Sequence, residues 1–308
     1  NGMTISFRPA VRSNVNLLIG LAGASGSGKS FSAFRLASGI AGGERFAVID
    51  TENGRASHYA DQFAFDVAEL REPFTPAAYA DAIESADKAG YPVIVVDSAS
   101  HEYAGSGGIL DMQESEFQRM GARDGVKMAS WIKPKMEHKK MMQRLLQTRA
   151  HLILCFRAEA KIDVIKGADG KTKIVPKESL VGVDGWIPLT EKTVPFELTV
   201  SLLLTPDRPG EPRPIKLQSQ HRALFPLNEP ITEESGKRIA EWARGGAVQS
   251  REDVLQSLRD ASLLGTKSLR SAWSALTEAR RDELKPELDS LKTAAAKADG
   301  PTTEAAAA

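Results

Sequence analysis

Residues 16–30 read NLLIGLAGASGSGKS. An unbroken apolar run passes into small residues and ends in a lysine and a hydroxyl. A run without polar alternation is the pattern of a strand covered on both faces. The stretch after it fits G-x-x-x-x-G-K-S, with Gly23, Gly28, Lys29 and Ser30 at the fixed positions. Glycine adopts backbone dihedrals that other residues resist and lets the chain approach an anion closely. Such a loop, here with an additional Gly26, turns its N–H groups inward around phosphate. A helix beginning near residue 29 aims its positive end at the same place. Gly23, Ser25, Gly26, Ser27 and Gly28 are therefore expected to wrap nucleotide phosphates. Lys29 is expected to meet the β- and γ-phosphates, and Ser30 to hold Mg²⁺.

Three further runs share the texture of the first: RFAVID (45–50), YPVIVVD (91–97) and HLILCF (151–156). Helical patterns lie between them at 29–41, 76–89 and 126–148. This alternation predicts an α/β fold, a P-loop NTPase core with a mostly parallel central sheet and right-handed crossovers. After residue 156 proline and glycine punctuate the chain. A hairpin is expected around GADG (167–170), and strands in PFELTVSLLL and RPIKLQ, separated by the turn TPDRPGEP. These read as an antiparallel extension of the sheet. ITEESGKRIAEWARGG reads as a helix and GGAVQS (245–250) as a linker. The expected organisation is an N-terminal segment 1–14, a core domain 15–245, a small helical C-terminal appendage 246–297 with about three short amphipathic helices, and a disordered tail 298–308.

Composition narrows the classes. The formal net charge is +0, which leaves no global footprint for nucleic acid or an anionic membrane. A single cysteine excludes an internal disulfide and any multi-cysteine zinc site. Cys155, inside HLILCF, reads as a buried core residue. No stretch approaches 18 uncharged apolar residues, and no basic-then-apolar leader is present, so a reducing cytoplasm is expected.

A second acidic element should complete the Mg²⁺ shell. VIVVDS (93–98) places Asp97 at the C-terminal end of a strand, where ligands of parallel sheets gather. Ser98 follows it rather than Glu, unlike the common AAA+ and ABC order. The carboxylate comes instead in VIDTENGRASHYA (48–60), as Glu52. There it is expected to orient a water against the γ-phosphate.

The set GASGSGKS, IDTE, Tyr59 seven residues past Glu52, and VIVVDS resembles the RecA/Rad51 ATPase core. The resemblance implies that Glu52 is the catalytic carboxylate and that Tyr59 stacks on adenine, although an aromatic beside a helix start also fits a core position. A closer resemblance is to phage-encoded single-domain RecA-like ATPases that assist single-strand annealing recombination. It is carried by WIKPKMEHKKMM, with Trp131, Lys133 and His138, and by HLILCFRAEAK, with His151, Arg157 and Lys161, and covers roughly residues 15–230. DASLLGTKSLRSAWSAL is similar to a small helical module of other phage recombination proteins. Together these imply ATP and Mg²⁺ as cofactors, single-stranded DNA as partner, and self-association into a ring or filament. They also imply a phage annealing protein or single-strand binding protein as a further partner, no membrane, and the bacterial host cytoplasm. Arg157 stands where RecA proteins carry an amide. It would sense the γ-phosphate or pair with Asp97 or Glu52; a surface salt bridge is the plain alternative.

The zero net charge hides a segregation. Residues 44–118 hold 15 acidic and 4 basic side chains, and residues 119–177 hold 5 acidic and 15 basic. By the resemblance, the loops at about 101–127 and 158–180 would hold single-stranded DNA. Arg119, Arg123 and Lys127 lie in the first, expected to be glycine-rich and mobile. Lys166, Lys171, Lys173 and Lys177 lie on the second, the predicted hairpin. Such contacts are electrostatic and salt-sensitive. Only Tyr103 and Phe117 offer rings in the first loop, so backbone tracking is expected more than base stacking. Lys171 or Lys173 would alternatively reach a neighbouring subunit's ATP. Readings from other classes are a hexameric helicase or packaging-type motor, a P-loop small-molecule kinase, and a nucleotide-switched scaffold.

Overall fold

A computed structural model describes residues 15–166, 172–177, 185–245, 251–274, 276 and 278–299. The predicted alternation becomes β1 (Leu18–Gly23), α1 (Lys29–Ala41), β2 (Phe46–Asp50), β3 (Phe65–Glu69), α2 (Pro76–Ala89) and β4 (Val93–Asp97). It continues as α3 (His101–Ala104), α4 (Ile109–Arg119), α5 (Ile132–Leu145), β5 (His151–Ala160), β6 (Ile162–Lys166) and β7 (Thr172–Pro176). Then follow β8 (Trp186–Pro188), α6 (Val194–Glu197), β9 (Val200–Thr205), β10 (Arg208–Lys216) and α7 (Glu233–Ala243). The main sheet has the order β10-β9-β1-β5-β4-β2-β3, with β8 also paired to β5. From β9 to β3 every pairing is parallel; β10 on β9 and β8 on β5 are antiparallel. This is the expected α/β fold, a P-loop NTPase core.

The strand order places the site. From β1 the chain crosses to β2, leaving room that β4 and β5 later fill, while β9 joins β1 from the opposite side. The order thus reverses at β1, and a crevice opens beyond the carboxyl ends of the strands at such a point. Register brings those ends together: Gly23 opposite Arg157, Asp97 opposite Cys155, and Asp50 opposite Asp97.

Alternate side chains bury each face of the sheet. Ile49, Ile94, Val96, Leu152 and Leu154 pack with Tyr79 and Ile83 of α2 and with Met141, Met142 and Leu145 of α5. On α1 and α7, Phe34, Leu36, Ile40 and Ile239 are buried. Cys155 is buried and free, as expected, and burial pushes its thiol pKa up. The two helices α1 and α7 cross where both carry glycine. A methyl group on Gly39 would overlap the Glu233 carbonyl, and one on Gly236 the Leu36 carbonyl. Arg35 closes the same contact with a bidentate bond to Glu233 at 2.7–3.0 Å.

Several expectations are corrected. The helix expected over 126–148 runs only over Ile132–Leu145, after two short 3₁₀ turns. Pro134 lacks an N–H and its ring is tolerated only in a first turn, so the helix begins just ahead of it. The stretch 101–127, expected to be a mobile loop, is largely helical as α3 and α4. Strand β3 was not anticipated. Beyond buried Phe65 its side chains are half-buried or exposed, and it closes the sheet as an edge. In PFELTVSLLL the first residues form α6 and only Val200–Thr205 is strand, parallel to β1. The hairpin read around GADG is present as β6–β7, with Ile162 opposite Pro176 and Lys166 opposite Thr172; the GADG turn itself lies outside the described residues.

The described residues divide into two compact units, one on each side of residue 246. The second contains four helices rather than about three: α8 (Arg251–Leu263), α9 (Thr266–Ser274), α10 (Glu278–Leu284) and α11 (Leu288–Ala298). Pro286, in the 3₁₀ turn Lys285–Glu287, separates the last two. Val254, Leu258, Leu269, Leu284 and Leu291 form its core. Asp299 accepts the Thr266 N–H at 3.1 Å, so the start of the expected tail is tied down. The segment 1–14 and the remainder of the tail lie outside the described residues. Among the described residues no helix is long and apolar enough to cross a membrane.

The glycine crossing yields a test. Gly39→Ala forces α1 and α7 apart and is expected to cost about 1–3 kcal/mol, the usual range for overpacking. Gly125→Ala meets nothing within 4 Å and should stay within about 0.5 kcal/mol of wild type. Urea unfolding of the two variants checks the contrast.

Candidate functional site

A cavity of about 600 Å³ opens at the carboxyl ends of β1, β2, β4 and β5. Gly23, Ser25, Gly26, Gly28, Lys29 and Ser30 line one wall. The loop between β1 and α1 takes its shape from Gly26 and Gly28, both left-handed at φ 79° and 78°. Ser32 N–H donates to the Gly28 carbonyl at 2.8 Å, which starts α1 at the expected residue. Ser27 departs from its expected role: its side chain is fully buried and does not line the cavity, and its N–H donates back to Ala24 O at 3.2 Å. Its own carbonyl accepts Gly210 N–H from β10 at 2.9 Å. A kink at Gly210, φ 81°, thus braces the loop from the far strand.

Lys29 Nζ donates to Asp97 Oδ1 at 2.7 Å, and Ser30 Oγ to Asp97 Oδ2 at 2.5 Å. Both carboxylate oxygens are engaged by the two residues expected to hold phosphate and Mg²⁺. Burial opposes the Lys29 charge, but the neighbouring Cys155, the Asp97 charge and hydrogen bond, and the more weakly acting Glu52 outweigh it and hold its pKa above the ordinary lysine value. Among the described residues no three His, Cys, Asp or Glu side chains converge to hold a metal. The Ser30 hydroxyl and the Asp97 carboxylate, both hard oxygen donors side by side, fit Mg²⁺, which takes one or two protein ligands and leaves its other positions to phosphate and water. Ser30 and Asp97 are the residues that would hold it.

Glu52 is presented by a turn built on Asp50. The Asp50 carboxylate is 1% exposed and accepts Glu52 N–H at 2.6 Å and Ala56 N–H at 2.8 Å. Those bonds satisfy a buried charge at the end of β2 and fix the backbone on both sides of Glu52. Thr51 locks β2 to β4. Its hydroxyl accepts Ser98 N–H at 2.9 Å, donates to Ser98 O at 3.0 Å, and lies 2.8 Å from His101 Nδ1. The Glu52 carboxylate itself accepts from Arg157 Nη2 at 2.8 Å and Nε at 3.1 Å, and from Arg55 Nη1 at 3.2 Å. Arg157 thus pairs with Glu52, one of its expected partners. Burial would raise the Glu52 pKa. The Arg157 hydrogen bonds and charge more than reverse this, and it lies below the ordinary value.

Tyr59 also lines the cavity, beside Phe31. Its ring meets Phe34 edge-on at 5.1 Å and 80°, so the residue is also anchored in the core. Phe31, 39% exposed, was not anticipated as a wall residue.

The residues expected to bind DNA are scattered in role. Arg119 ends α4 and donates to Glu116 at 2.7 Å. Arg123 and Lys127 are exposed between α4 and α5. Lys166 ends β6 and Lys177 follows β7, both exposed. Lys173 has its backbone opposite Ile165, and Lys171 lies outside the described residues. Much of the charge segregation is answered inside the fold. Glu116 takes Lys133 as well, at 2.9 Å. Glu102 takes His138 at 2.9 Å, and Arg144 spans Asp81 and Glu84 at 2.6 Å each. The acidic segment and the basic segment after it are, at these points, partners of each other.

Sequence reasoning passed over Asp50, Thr51, Arg55 and Gly210. Asp50 carried a signal: a carboxylate closing an all-apolar strand is costly to bury unless its oxygens are satisfied. Gly210 carried none, because its partner lies 183 positions earlier in the chain, at Ser27.

A family model described as an AAA domain matches residues 16–180, slightly more than half of the 308 residues. The matched span holds β1 to β7 and every residue named above as lining the cavity; Gly210, which braces the loop from β10, lies outside it. No curated protein matches the sequence.

The Glu52–Arg157 pair sets a pH dependence. A carboxyl whose pKa is lowered by folding contributes stability above its unfolded value, here about 4.5, and loses it as pH falls through the folded value. The stability difference between wild type and Arg157→Ala, from urea unfolding, is expected to be widest near neutral pH and to narrow below pH 4.5. A difference independent of pH would show that Arg157 does not act through the Glu52 charge.

Proposed function

We propose that this chain, which belongs to the AAA domain family of P-loop ATPases, is a RecA-like recombination ATPase that works on single-stranded DNA. The observation that carries the ATPase reading is the convergence of Lys29, Ser30, Asp97 and Glu52 on one cavity at the carboxyl ends of parallel strands. Lys29 and Ser30 would exchange their bonds to Asp97 for phosphate and Mg²⁺. Mg²⁺, held by Ser30 and Asp97, would offset the phosphate charge. Glu52 accepts a hydrogen bond from the attacking water and takes its proton, and water and ATP become ADP and phosphate. The Asp50 turn keeps the Glu52 backbone in place through this exchange. Arg157, next to Glu52, is placed to turn toward the γ-phosphate. Tyr59 and Phe31 offer rings to the base.

The DNA reading rests on Arg123, Lys127, Lys166 and Lys177, exposed cations on the α4–α5 connection and on the β6–β7 hairpin. They suit phosphate tracking without base reading. On this reading the protein assembles on DNA as a ring or filament and promotes annealing or strand exchange. A phage annealing or single-strand binding protein is its expected companion in the host cytoplasm.

ATP hydrolysis with and without single-stranded DNA, across a salt series, tests both parts. Glu52→Gln is expected to lower kcat by roughly 10²–10⁴-fold, the span of general-base catalysis, while nucleotide binding survives. Stimulation by DNA is expected to fade as salt rises. Hydrolysis that ignores DNA at every salt concentration would remove the DNA part and leave the ATPase.

A further inference from the structure

His138 and Lys133 of α5 each answer a buried carboxylate on the segment that follows Asp97. Lys133 meets Glu116 of α4, and His138 Nδ1 meets Glu102 Oε1 of α3 at 2.9 Å, with both side chains of the second pair less than 8% exposed. His138 Nε2 has no partner among the described residues, so the ring's hydrogen bond goes to Glu102 alone. A carboxylate this deeply buried is tolerated because it is paired, and removing the partner leaves an uncompensated charge.

Glu102 sits two residues after Ser100, which precedes the short α3 helix, while Glu102 lies within it. Ser100 Oγ accepts Arg157 N–H at 2.9 Å, and Ser100 N–H in turn donates to Ser98 Oγ at 3.1 Å. Ser98 is held from β2 by Thr51 and from α2 by Tyr79, whose hydroxyl donates to Ser98 O at 2.8 Å. Hydrogen bonds lead from α5 to Glu102, the chain itself joins Glu102 to Ser100, and hydrogen bonds lead on from Ser100 and Ser98 to the backbone of Arg157 and to Thr51, the residue before Glu52. A helix of four residues has too few internal bonds to hold its own position. Its placement depends on what grips it: Thr51 and Phe74 at His101, and the more deeply buried Glu102–His138 pair at the next residue.

We propose that His138 is a positioning residue for the Arg157–Glu52 pair. By holding Glu102 it sets the turn from which Ser100 fixes Arg157, and so couples α5 to the catalytic carboxylate. The inference rests on the ATPase reading above.

The test compares steady-state ATP hydrolysis and labelled-ADP binding for wild type, His138→Leu, His138→Gln, Arg157→Ala and the double variant His138→Leu/Arg157→Ala. His138→Leu is expected to lower kcat at least tenfold with KM and ADP affinity within about threefold, the pattern of an interaction realised in the transition state. His138→Gln retains an N–H for Glu102 and is expected to recover most of the rate. If His138 works through Arg157, the double variant is no slower than Arg157→Ala alone. Full activity in a folded His138→Leu protein, or multiplicative losses in the double variant, would overturn the proposal. If His138→Leu does not fold, Glu102→Gln, which removes the buried charge that His138 holds, carries the same comparison with Arg157→Ala. Failure of the ATPase reading is distinct, because wild type itself would then hydrolyse nothing.

Discussion

The Asp97 carboxylate is the point on which the rest of the structure depends. It ends a wholly apolar strand, and each of its oxygens accepts a bond from the first turn of α1. That shared carboxylate ties β4 to the β1–α1 loop across β5, which lies between their strands. A buried carboxylate needs partners, and a lysine at a helix start needs a counter-charge. Each answers the other. The same three side chains are the ones proposed to hold Mg²⁺ and phosphate.

Around that centre the structure repeats one device: a buried acid at a strand or helix end is satisfied by the chain next to it. Asp50 is satisfied by the backbone of the turn that presents Glu52. Glu52 is satisfied by Arg157 and Arg55, Glu102 by His138, and Glu116 by Arg119 and Lys133. Many of these acids come from the acidic segment and their partners from the basic segment after it. The charge swing therefore has a structural role before it has any role toward a partner. The exposed cations between α4 and α5 and on the β6–β7 hairpin are the ones on which the proposed DNA reading rests.

The parallel core was legible in the sequence because strands covered on both faces leave unbroken apolar runs. For the same reason Lys29, Ser30 and Asp97 could be named in advance: a glycine-rich loop after one such run, and an acid closing another, have few other uses. Strand β3 escaped because an edge strand is half polar and carries no such run. The helices α3 and α4 escaped because GSGG (105–108) and RMGARDG (119–125) look like loop, although the residues between them belong to α4. The start of α5 was misplaced although Pro134 marked it. The brace from Gly210 to Ser27, and the turns that Ser98 and Ser100 anchor, are long-range hydrogen bonds of backbone and hydroxyl, and no local pattern announces them.

The most direct test of this account is a structure of the protein with Mg²⁺ and a non-hydrolysable ATP analogue. Lys29 Nζ is expected to leave Asp97 for the β- and γ-phosphates. Ser30 and Asp97 are expected to lie at the metal, and Glu52 to face the γ-phosphate. An analogue bound away from the β1–α1 loop, or Lys29 and Ser30 both still on Asp97 with nucleotide present, would contradict it.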